Sequence, residues 1–362
     1  MDIVAILLLV LPVVVLVGYP VVLLCAGAFA LPPTRDAGPV PETLSILICT
    51  QNDAAWIDAK LETVIAAVAA WPGHAEILVG DTSTDDTAVF IERFTDRGVT
   101  LVRGVTLARL APLARGEILV LTDAEARFAP ETLPALMAPF ADSRVGAVAG
   151  SIAAIRQGRA RLADADTLFR RWQTATRTAE DRLFGCSIAD PGLYAIRCTS
   201  MPRLPANVAE EIFCCTAAVA AGQRVAFAPD ARVYTQRPTP AGGASGTAYQ
   251  LNALWCRRAL MNPVKTGWYA VALARALLRP AALLTLPPLW IVSGLLAGEP
   301  FWAIVFALLS MAAVLGALGH WVPDRLPGPL APAAAGLLRL VTEATGFLLF
   351  ASGRYARGGF TE

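Results

Sequence analysis

The chain has 362 residues, of which 56% are hydrophobic and only 16% are charged, and its mean hydropathy is +0.54. Soluble domains are about one quarter charged, so part of this chain is predicted to lie in a membrane. Thirty basic and 29 acidic residues leave a net charge of +1, which excludes a nucleic-acid-binding protein that works through bulk positive charge. The seven cysteines contain no C-x-x-C pair and the two histidines lie far apart, so the sequence favours reduced thiols and shows no histidine zinc site.

The chain begins with a long apolar segment. Residues 3–31 carry no charge, which exceeds the roughly 20 residues needed to cross a bilayer. The run is longer than a signal-peptide core and lacks a basic start, so residues 1–32 are predicted to be a retained transmembrane anchor. Prolines follow, and near residue 42 the composition changes to that of an α/β domain, predicted over residues 43–237.

Short apolar runs alternate with helical patterns within this domain. Strands are predicted at 44–49, 76–80, 100–102, 117–122 and 145–150, and helices at 54–70 and 87–97. Strands separated by helices of this length predict a parallel or mixed sheet covered on both faces. Ligands bind such sheets at the carboxyl ends of the strands, which directs attention to the residues after each strand.

Two polar clusters follow the first two predicted strands. The first has the sequence TQND over residues 50–53, and the second has the sequence DTSTDDT over residues 81–87. Their short polar side chains are suited to hydrogen-bonding a nucleotide base and ribose. The predicted binding residues are Thr50, Asn52, Asp53, Asp81 and Ser83. Helix capping is the alternative role, by Asn52 or Asp53 for one helix and by Thr84 or Asp85 for the next.

The fourth predicted strand ends in Asp123-Ala124-Glu125. Two carboxylates separated by one residue can chelate a divalent cation, Mg²⁺ or Mn²⁺, and hold it against a diphosphate. Asp123 is therefore predicted to serve both metal and donor, and Glu125 to serve the metal. Solvated acids at the end of a strand are the alternative.

These elements, in this order, resemble the membrane-bound family 2 glycosyltransferases over residues 43–237. The TQND cluster is similar to a P-x-x-N-E-like turn of that family, GDTSTDDT to its nucleotide-contacting D-D-G-S-T-D-x-T segment, and Asp123-Ala124-Glu125 to its D-x-D motif. The resemblance implies a divergent member whose GT-A-like mixed sheet binds a nucleotide-diphospho-sugar. In such a chain the α/β domain is inserted between an N-terminal transmembrane helix and a C-terminal transmembrane helical block.

The resemblance also implies inverting sugar transfer, with a catalytic base from an acidic pair in the acceptor half of the domain. Glu211, or its neighbour Glu210, stands at that place. The same pair fits the first turn of a helix, where the helix dipole favours acidic residues. Both roles stay open at this point.

The C-terminal part of the chain begins with a basic, aromatic segment at 245–279, which has five basic and no acidic residues. Such a segment is predicted to lie in the headgroup plane of an anionic leaflet. It contains the residues nearest to the family's Q-x-x-R-W signature, and the predicted acceptor-side residues are Gln250, Trp255, Arg257 and Arg258. Simple anchoring is the alternative. Residues 280–352 are predicted to form transmembrane or re-entrant helices, with three spans in total favoured over four.

The sequence thus predicts an inverting glycosyltransferase of the inner (plasma) membrane. Its cytoplasmic domain would transfer a sugar from a nucleotide-sugar donor to a lipid or lipid-linked acceptor, using a divalent metal. The alternative is a catalytically impaired membrane scaffold or partner subunit, favoured by Gly80 in place of the motif's first aspartate and by the absence of the lysine-bearing segment expected before Arg115. A small transporter is disfavoured because the hydrophobic block shows no internal repeat.

Overall fold

The structure is a computed structural model that describes residues 1–33, 38–154, 162–235, 243–321 and 330–353. The strands in these ranges are β1 Thr43–Thr50, β2 His74–Asp81, β3 Val99–Arg103, β4 Ile118–Asp123, β5 Arg127–Phe128, β6 Val145–Ala154, β7 Tyr194–Arg197 and β8 Arg224–Thr235. The α-helices are α1 Asp2–Pro12, α2 Tyr19–Phe29, α3 Ile57–Ala69, α4 Thr87–Glu92, α5 Leu107–Leu110, α6 Thr132–Met137, α7 Leu162–Leu183, α8 Glu210–Ala220, α9 Gly243–Cys256, α10 Pro263–Thr266, α11 Trp268–Leu283, α12 Leu286–Leu295, α13 Pro300–Trp321 and α14 Leu330–Ala351.

The strands form one mixed sheet in the order β3-β2-β1-β4-β7-β6-β8-β5. The first four strands in this order are parallel to one another, and β7 is antiparallel to both of its neighbours. The fold class predicted from the sequence, a mixed α/β sheet of GT-A type, is confirmed. All five predicted strands are present, as β1, β2, β3, β4 and β6.

Alternation along the central strand β1 explains how the sheet is covered. Leu44, Ile46 and Ile48 pack into one apolar layer with the buried face of α3, whereas Leu47 faces the opposite layer. Successive side chains of a strand point to opposite faces, so a continuous apolar run is the expected sequence for a strand buried on both sides.

Contacts divide the chain into two compact units. One unit comprises Met1–Ala28, Arg156–Trp172 and Pro238–Glu362, and the other comprises Phe29–Ile155 and Gln173–Arg237. We call the first the helical unit and the second the sheet unit. The sheet unit contains the strands and both predicted acidic motifs.

Within the described part of the helical unit, two helices are long and apolar enough to cross a membrane. The first is the continuous helix Asp2–Phe29, in which a π-helical turn, Val13–Gly18, joins α1 to α2. The second is Pro300–Leu318 within α13. The pair α11 and α12 meets the same test only jointly, because it bends by 49° at a short break, as a broken span or a re-entrant segment does. Association with a membrane follows from these lengths and compositions.

The last helix carries an ion pair. Arg279 on α11 donates to Glu343 on α14 at 2.9 Å, and both side chains are mostly buried. Arg339 stands one helical turn before Glu343 in the sequence, and its side chain lies outside the described residues. A charge on a largely apolar helix is expected to face a partner, as Glu343 does here.

Candidate active site

The carboxyl ends of β1, β2 and β4 lie side by side, and their register sets the spacing of two predicted site residues. Thr50 is registered with Asp81 on β2, and Cys49 is registered with Asp123 on β4. Since adjacent strands are about 4.8 Å apart, the two aspartates flank the end of β1 with a backbone separation of about 10 Å.

The two polar loops predicted to bind a nucleotide are joined by hydrogen bonds. Thr50 Oγ1 donates to the buried Asp81 Oδ1 at 2.7 Å, and the Ser83 amide donates to the same oxygen at 3.2 Å. The Asn52 amide donates to Ser83 Oγ at 2.8 Å, and the Thr84 amide donates to Asn52 Oδ1 at 2.9 Å. Asn52 has a φ of 59°, a left-handed conformation that asparagine tolerates better than most residues. Asp81 therefore organises both loops.

Helix capping accounts for only part of these clusters. Trp56 directly precedes α3 and makes no side-chain capping bond, and the side chain of Asn52 accepts from Thr84 in the other loop. The Asp53 amide donates to Thr87 Oγ1 at 2.9 Å. Asp85 Oδ1 accepts from the Thr87 amide at 3.1 Å, which satisfies a donor at the start of α4.

The turn after β4 carries the predicted metal residues. Asp123 and Glu125 are both half-buried. Burial raises the pKa of Asp123 to about 6; the charge of Lys60 opposes this rise, and the carboxylates of Glu125, Asp53 and Asp190 add to it. Several acidic groups thus act on one another at this edge of the sheet.

Among the described residues, no group of three or more His, Cys, Asp or Glu side chains is arranged to hold a metal ion alone. Asp123 and Glu125 offer two carboxylates, and hard divalent cations accept oxygen ligands from phosphate and water as readily as from protein. The donor set therefore fits a cation shared with a bound diphosphate, and does not fit one held by protein ligands only.

A buried lysine that belongs to none of the sequence motifs lies beneath this turn. Lys60 on α3 is 0% exposed, and its Nζ donates to Thr122 Oγ1 at 2.6 Å and to the Ala126 carbonyl. Burial lowers the pKa of Lys60 well below its ordinary value, while Asp123 acts in the opposite direction. The signal was present in the sequence, because Lys60 occupies an apolar position in the repeat of Ile57 and Val64.

Glu210 and Glu211 are the first two residues of α8, so the helix-start interpretation is correct as a description of their position. Glu211 is 8% exposed and Glu210 is half-buried. Burial, followed by repulsion from Asp123, raises the pKa of Glu210 to about 7. Burial is also the main cause that raises the pKa of Glu211 to about 8, with further contributions from Asp123, Glu210 and Asp190. The acidic pair and the turn after β4 thus belong to one electrostatic cluster.

Asp190 joins this cluster and was not predicted. Arg177 on α7 donates to Asp190, and only 12% and 19% of the two side chains are exposed. On the same helix, Glu180 accepts from the Ser187 amide at 3.0 Å and from its hydroxyl at 2.7 Å. These contacts hold the segment between α7 and β7, and no sequence motif marks them.

The predicted acceptor-side residues lie in the helical unit. Gln250 and Trp255 are exposed residues of α9, and 49% of Trp255 is accessible. The Arg258 guanidinium lies 5.2 Å from the Trp255 ring centroid and donates to the Trp255 carbonyl at 3.1 Å. Arg257 follows α9 directly. The structure therefore brings Trp255 and Arg258 into contact.

A parallel half-sheet ends in polar loops and an acidic turn and continues into a mixed half, and a second acidic pair begins α8; this is the arrangement of the GT-A fold. Residues 45–198, about two fifths of the chain, match Glycosyl transferase family 2. The resemblance found in the sequence is thereby confirmed over residues 45–198, and the match supports a glycosyltransferase enzyme. No curated protein matches the chain.

Two solved structures illustrate the likeness. Mannosyltransferase PcManGT from Pyrobaculum calidifontis, solved in complex with GDP-Man and Mn²⁺, is 21% identical; the match covers 97% of this chain and 99% of that one, with a TM-score of 0.69. Glucosyl-3-phosphoglycerate synthase from Mycobacterium tuberculosis, solved with Mn²⁺, UDP and phosphoglyceric acid, is also 21% identical, covering 65% and 81% with a TM-score of 0.42. At these identities the first likeness establishes a shared fold, and the second adds nothing to it.

Proposed function

We propose that the protein is an inverting glycosyltransferase that moves a sugar from a nucleotide-sugar donor to a lipid or lipid-linked acceptor at a membrane surface. The observation that carries the proposal is the electrostatic cluster of Asp123, Glu210 and Glu211. It combines an acidic turn suited to a metal diphosphate with a carboxylate pair of raised pKa suited to proton transfer. The likeness to a mannosyltransferase solved with GDP-Man and Mn²⁺ supports the donor class.

The donor would bind at the ends of β1, β2 and β4. In this proposal the loop of Thr50, Asn52 and Asp53 contacts the nucleoside, and Asp81 with Ser83 keeps both loops in place. Asp123 and Glu125 would hold a divalent cation, Mg²⁺ or Mn²⁺, against the diphosphate. When bound, such a cation neutralises the negative charge that develops on the departing nucleoside diphosphate.

The acidic pair on α8 would activate the acceptor. Its hydroxyl oxygen attacks the anomeric carbon, a new C–O bond forms, and the bond from that carbon to the diphosphate oxygen breaks with its electron pair on the leaving group. The hydroxyl proton passes to Glu211 or Glu210. Basicity favours Glu211, whose pKa is the higher, and access favours Glu210, whose side chain is the more exposed.

A lipid-phase acceptor is proposed because the same chain carries helices suited to a membrane. The basic, aromatic segment at 245–279 would face the anionic cytoplasmic leaflet of the plasma membrane, with the sheet unit in the cytoplasm. Gln250, Trp255, Arg257 and Arg258 would contact the acceptor headgroup. Tryptophan and arginine suit this position because each joins an apolar body to a polar end.

Calorimetric titration of the full chain in detergent micelles tests donor binding. We expect GDP- or UDP-sugars to bind in the presence of Mn²⁺ and to bind at least tenfold more weakly without it or in Asp123→Asn. Asp230→Asn, which removes the charge of a highly exposed carboxylate on β8, is the matched control and should bind as wild type does. Indifference of the wild type to every donor would instead favour a non-catalytic scaffold.

A further inference from the structure

Lys60 contacts both ends of the turn that carries Asp123 and Glu125. Its Nζ donates to Thr122, directly before the turn, and to Ala126, directly after the two carboxylates. The Ala126 amide donates to the Asp123 carbonyl at 3.2 Å, which closes the turn between these points. One side chain thus bridges the two ends of a segment whose conformation fixes the spacing of the carboxylates.

Further hydrogen bonds hold the chain on both sides of the turn. Thr122 Oγ1, which accepts from Lys60, donates to the Gly192 carbonyl at 2.7 Å. One turn along α3, Thr63 Oγ1 accepts from the Phe128 amide at 3.1 Å, and the Phe128 ring centroid lies 4.4 Å from Lys60 Nζ. Helix α3 therefore holds the chain at three points between Thr122 and Phe128, and Lys60 supplies two of them.

The choice of lysine is informative in this chain. Only two of the 30 basic residues are lysines, Lys60 and Lys265; the other 28 are arginines. A compact amino group on a flexible stem can enter an apolar layer and donate to two converging oxygens, whereas the planar guanidinium of arginine is larger and carries five donors to satisfy. Both the ammonium and the neutral amine can donate two bonds, so the hold on the turn does not depend on the charge state.

We propose that Lys60 is a positioning residue for the metal and diphosphate site, acting through the turn that it bridges. The inference rests on the proposed function, because the turn is assigned to a metal diphosphate there. Lys60 itself is wholly buried and cannot contact the donor, so it does not replace the lysine expected near the diphosphate. It sets the relative position of Asp123 and Glu125, as residues behind metal ligands commonly do.

The test measures Mn²⁺ affinity separately from nucleotide affinity in the full chain. Free Mn²⁺ is followed by electron paramagnetic resonance at saturating GDP or UDP, whichever the wild type binds, and nucleotide binding is measured without metal. Lys60→Met keeps the length of the side chain and removes its donors. We expect this variant to need about 10 to 100 times more Mn²⁺ for half-saturation, with metal-free nucleotide binding changed less than twofold.

Two controls separate positioning from general stability. Val64→Ala removes buried volume from the same helix without removing a hydrogen-bond donor, and Lys265→Met removes the other, exposed lysine. Both should keep the Mn²⁺ affinity of the wild type. If Lys60→Met folds and binds Mn²⁺ within twofold of the wild type, or if Val64→Ala loses affinity to the same extent, the inference is overturned.

A second measurement on the wild type covers the case in which Lys60→Met does not fold. Lysine-selective ¹⁵N NMR gives two side-chain signals, and Lys265→Met assigns them. Saturation with Mg²⁺ and the nucleoside diphosphate should shift the Lys60 signal; an unchanged signal overturns the inference. If the wild type binds neither GDP nor UDP, the proposed function fails as well, which distinguishes that outcome from failure of the Lys60 inference alone.

Discussion

The hydroxyl of Thr50 donates a 2.7 Å hydrogen bond to the buried carboxylate of Asp81, across the ends of two neighbouring parallel strands. Ser83 donates to the same carboxylate oxygen and accepts from Asn52, so the bond is the first link of a chain that joins both polar loops. The donor pocket proposed for this enzyme thus depends on contacts between the loops as well as on groups that face the ligand.

Removal of the Thr50 hydroxyl should therefore weaken donor binding. Thr50→Val keeps the shape of the side chain and leaves the buried Asp81 oxygen without one donor, at a cost of about 1–3 kcal/mol. We expect the free energy of unfolding to fall by that amount and nucleotide affinity to fall about five- to tenfold, measured by denaturant titration and calorimetry. Thr50→Ser retains the hydroxyl and should behave as wild type. Equal losses in both variants would show that the bond itself contributes nothing.

The pH dependence of transfer follows from the acidic pair on α8. The pKa of Glu210 is raised to about 7 and that of Glu211 to about 8, chiefly by burial. A carboxylic acid of raised pKa stays protonated to higher pH, and only its ionised form accepts a proton, so kcat should fall as pH decreases through about 8 to 6.

The Glu210→Gln variant distinguishes the roles of the two carboxylates. The charge of Glu210 contributes to the raised pKa of Glu211, so its removal should move the acidic limb of the kcat profile to lower pH while activity is retained. A limb that stays in place, with full activity, would contradict the coupling. Complete loss of activity would assign the base to Glu210.

Stability of the sheet unit should depend on the buried pair of Arg177 and Asp190. Because few of their atoms are exposed, Asp190→Asn leaves an arginine charge unbalanced in the interior, and we expect a loss of about 3–5 kcal/mol in unfolding free energy. Arg103 and Glu92 form an exposed pair at 2.6 Å, for which Glu92→Gln should cost about 0–1 kcal/mol. Denaturant titration of both variants in the same detergent makes the comparison. Similar losses would show that burial of the first pair has no energetic effect.

The elements predictable from the sequence were those with strong local signals. β1 and β4 are continuous apolar runs because both of their faces are covered, and α3 shows its buried face at helical spacing. β7 has four residues and β5 has two, and both pair only with antiparallel partners distant in sequence, so they gave no local pattern. The helical block predicted from residue 280 begins earlier in the structure, since α11 starts at Trp268 and meets α12 at a bend of 49°.

The site residues also differ in how strong a signal they have in the sequence. Asp81 and Asp123 were predictable because parallel strands bring their carboxyl ends to one edge of the sheet. Lys60 has a sequence signal, a charged side chain in the apolar repeat of α3, but only the structure gives its partners. Asp190 and Arg177 have no such sequence signal, since their pairing depends on how the chain folds back between α7 and β7.

Transfer of radiolabelled sugar to the lipid phase tests the central claim most directly. The purified protein in vesicles that contain anionic and extracted membrane lipids is incubated with labelled GDP- or UDP-sugars and Mn²⁺, and label is counted in the organic phase. We predict metal-dependent incorporation by the wild type, and a loss of about 10²- to 10⁴-fold in kcat for Glu211→Gln with donor binding retained. Label that stays in the aqueous phase with every donor, although the donor binds, would contradict sugar transfer to lipid by this protein.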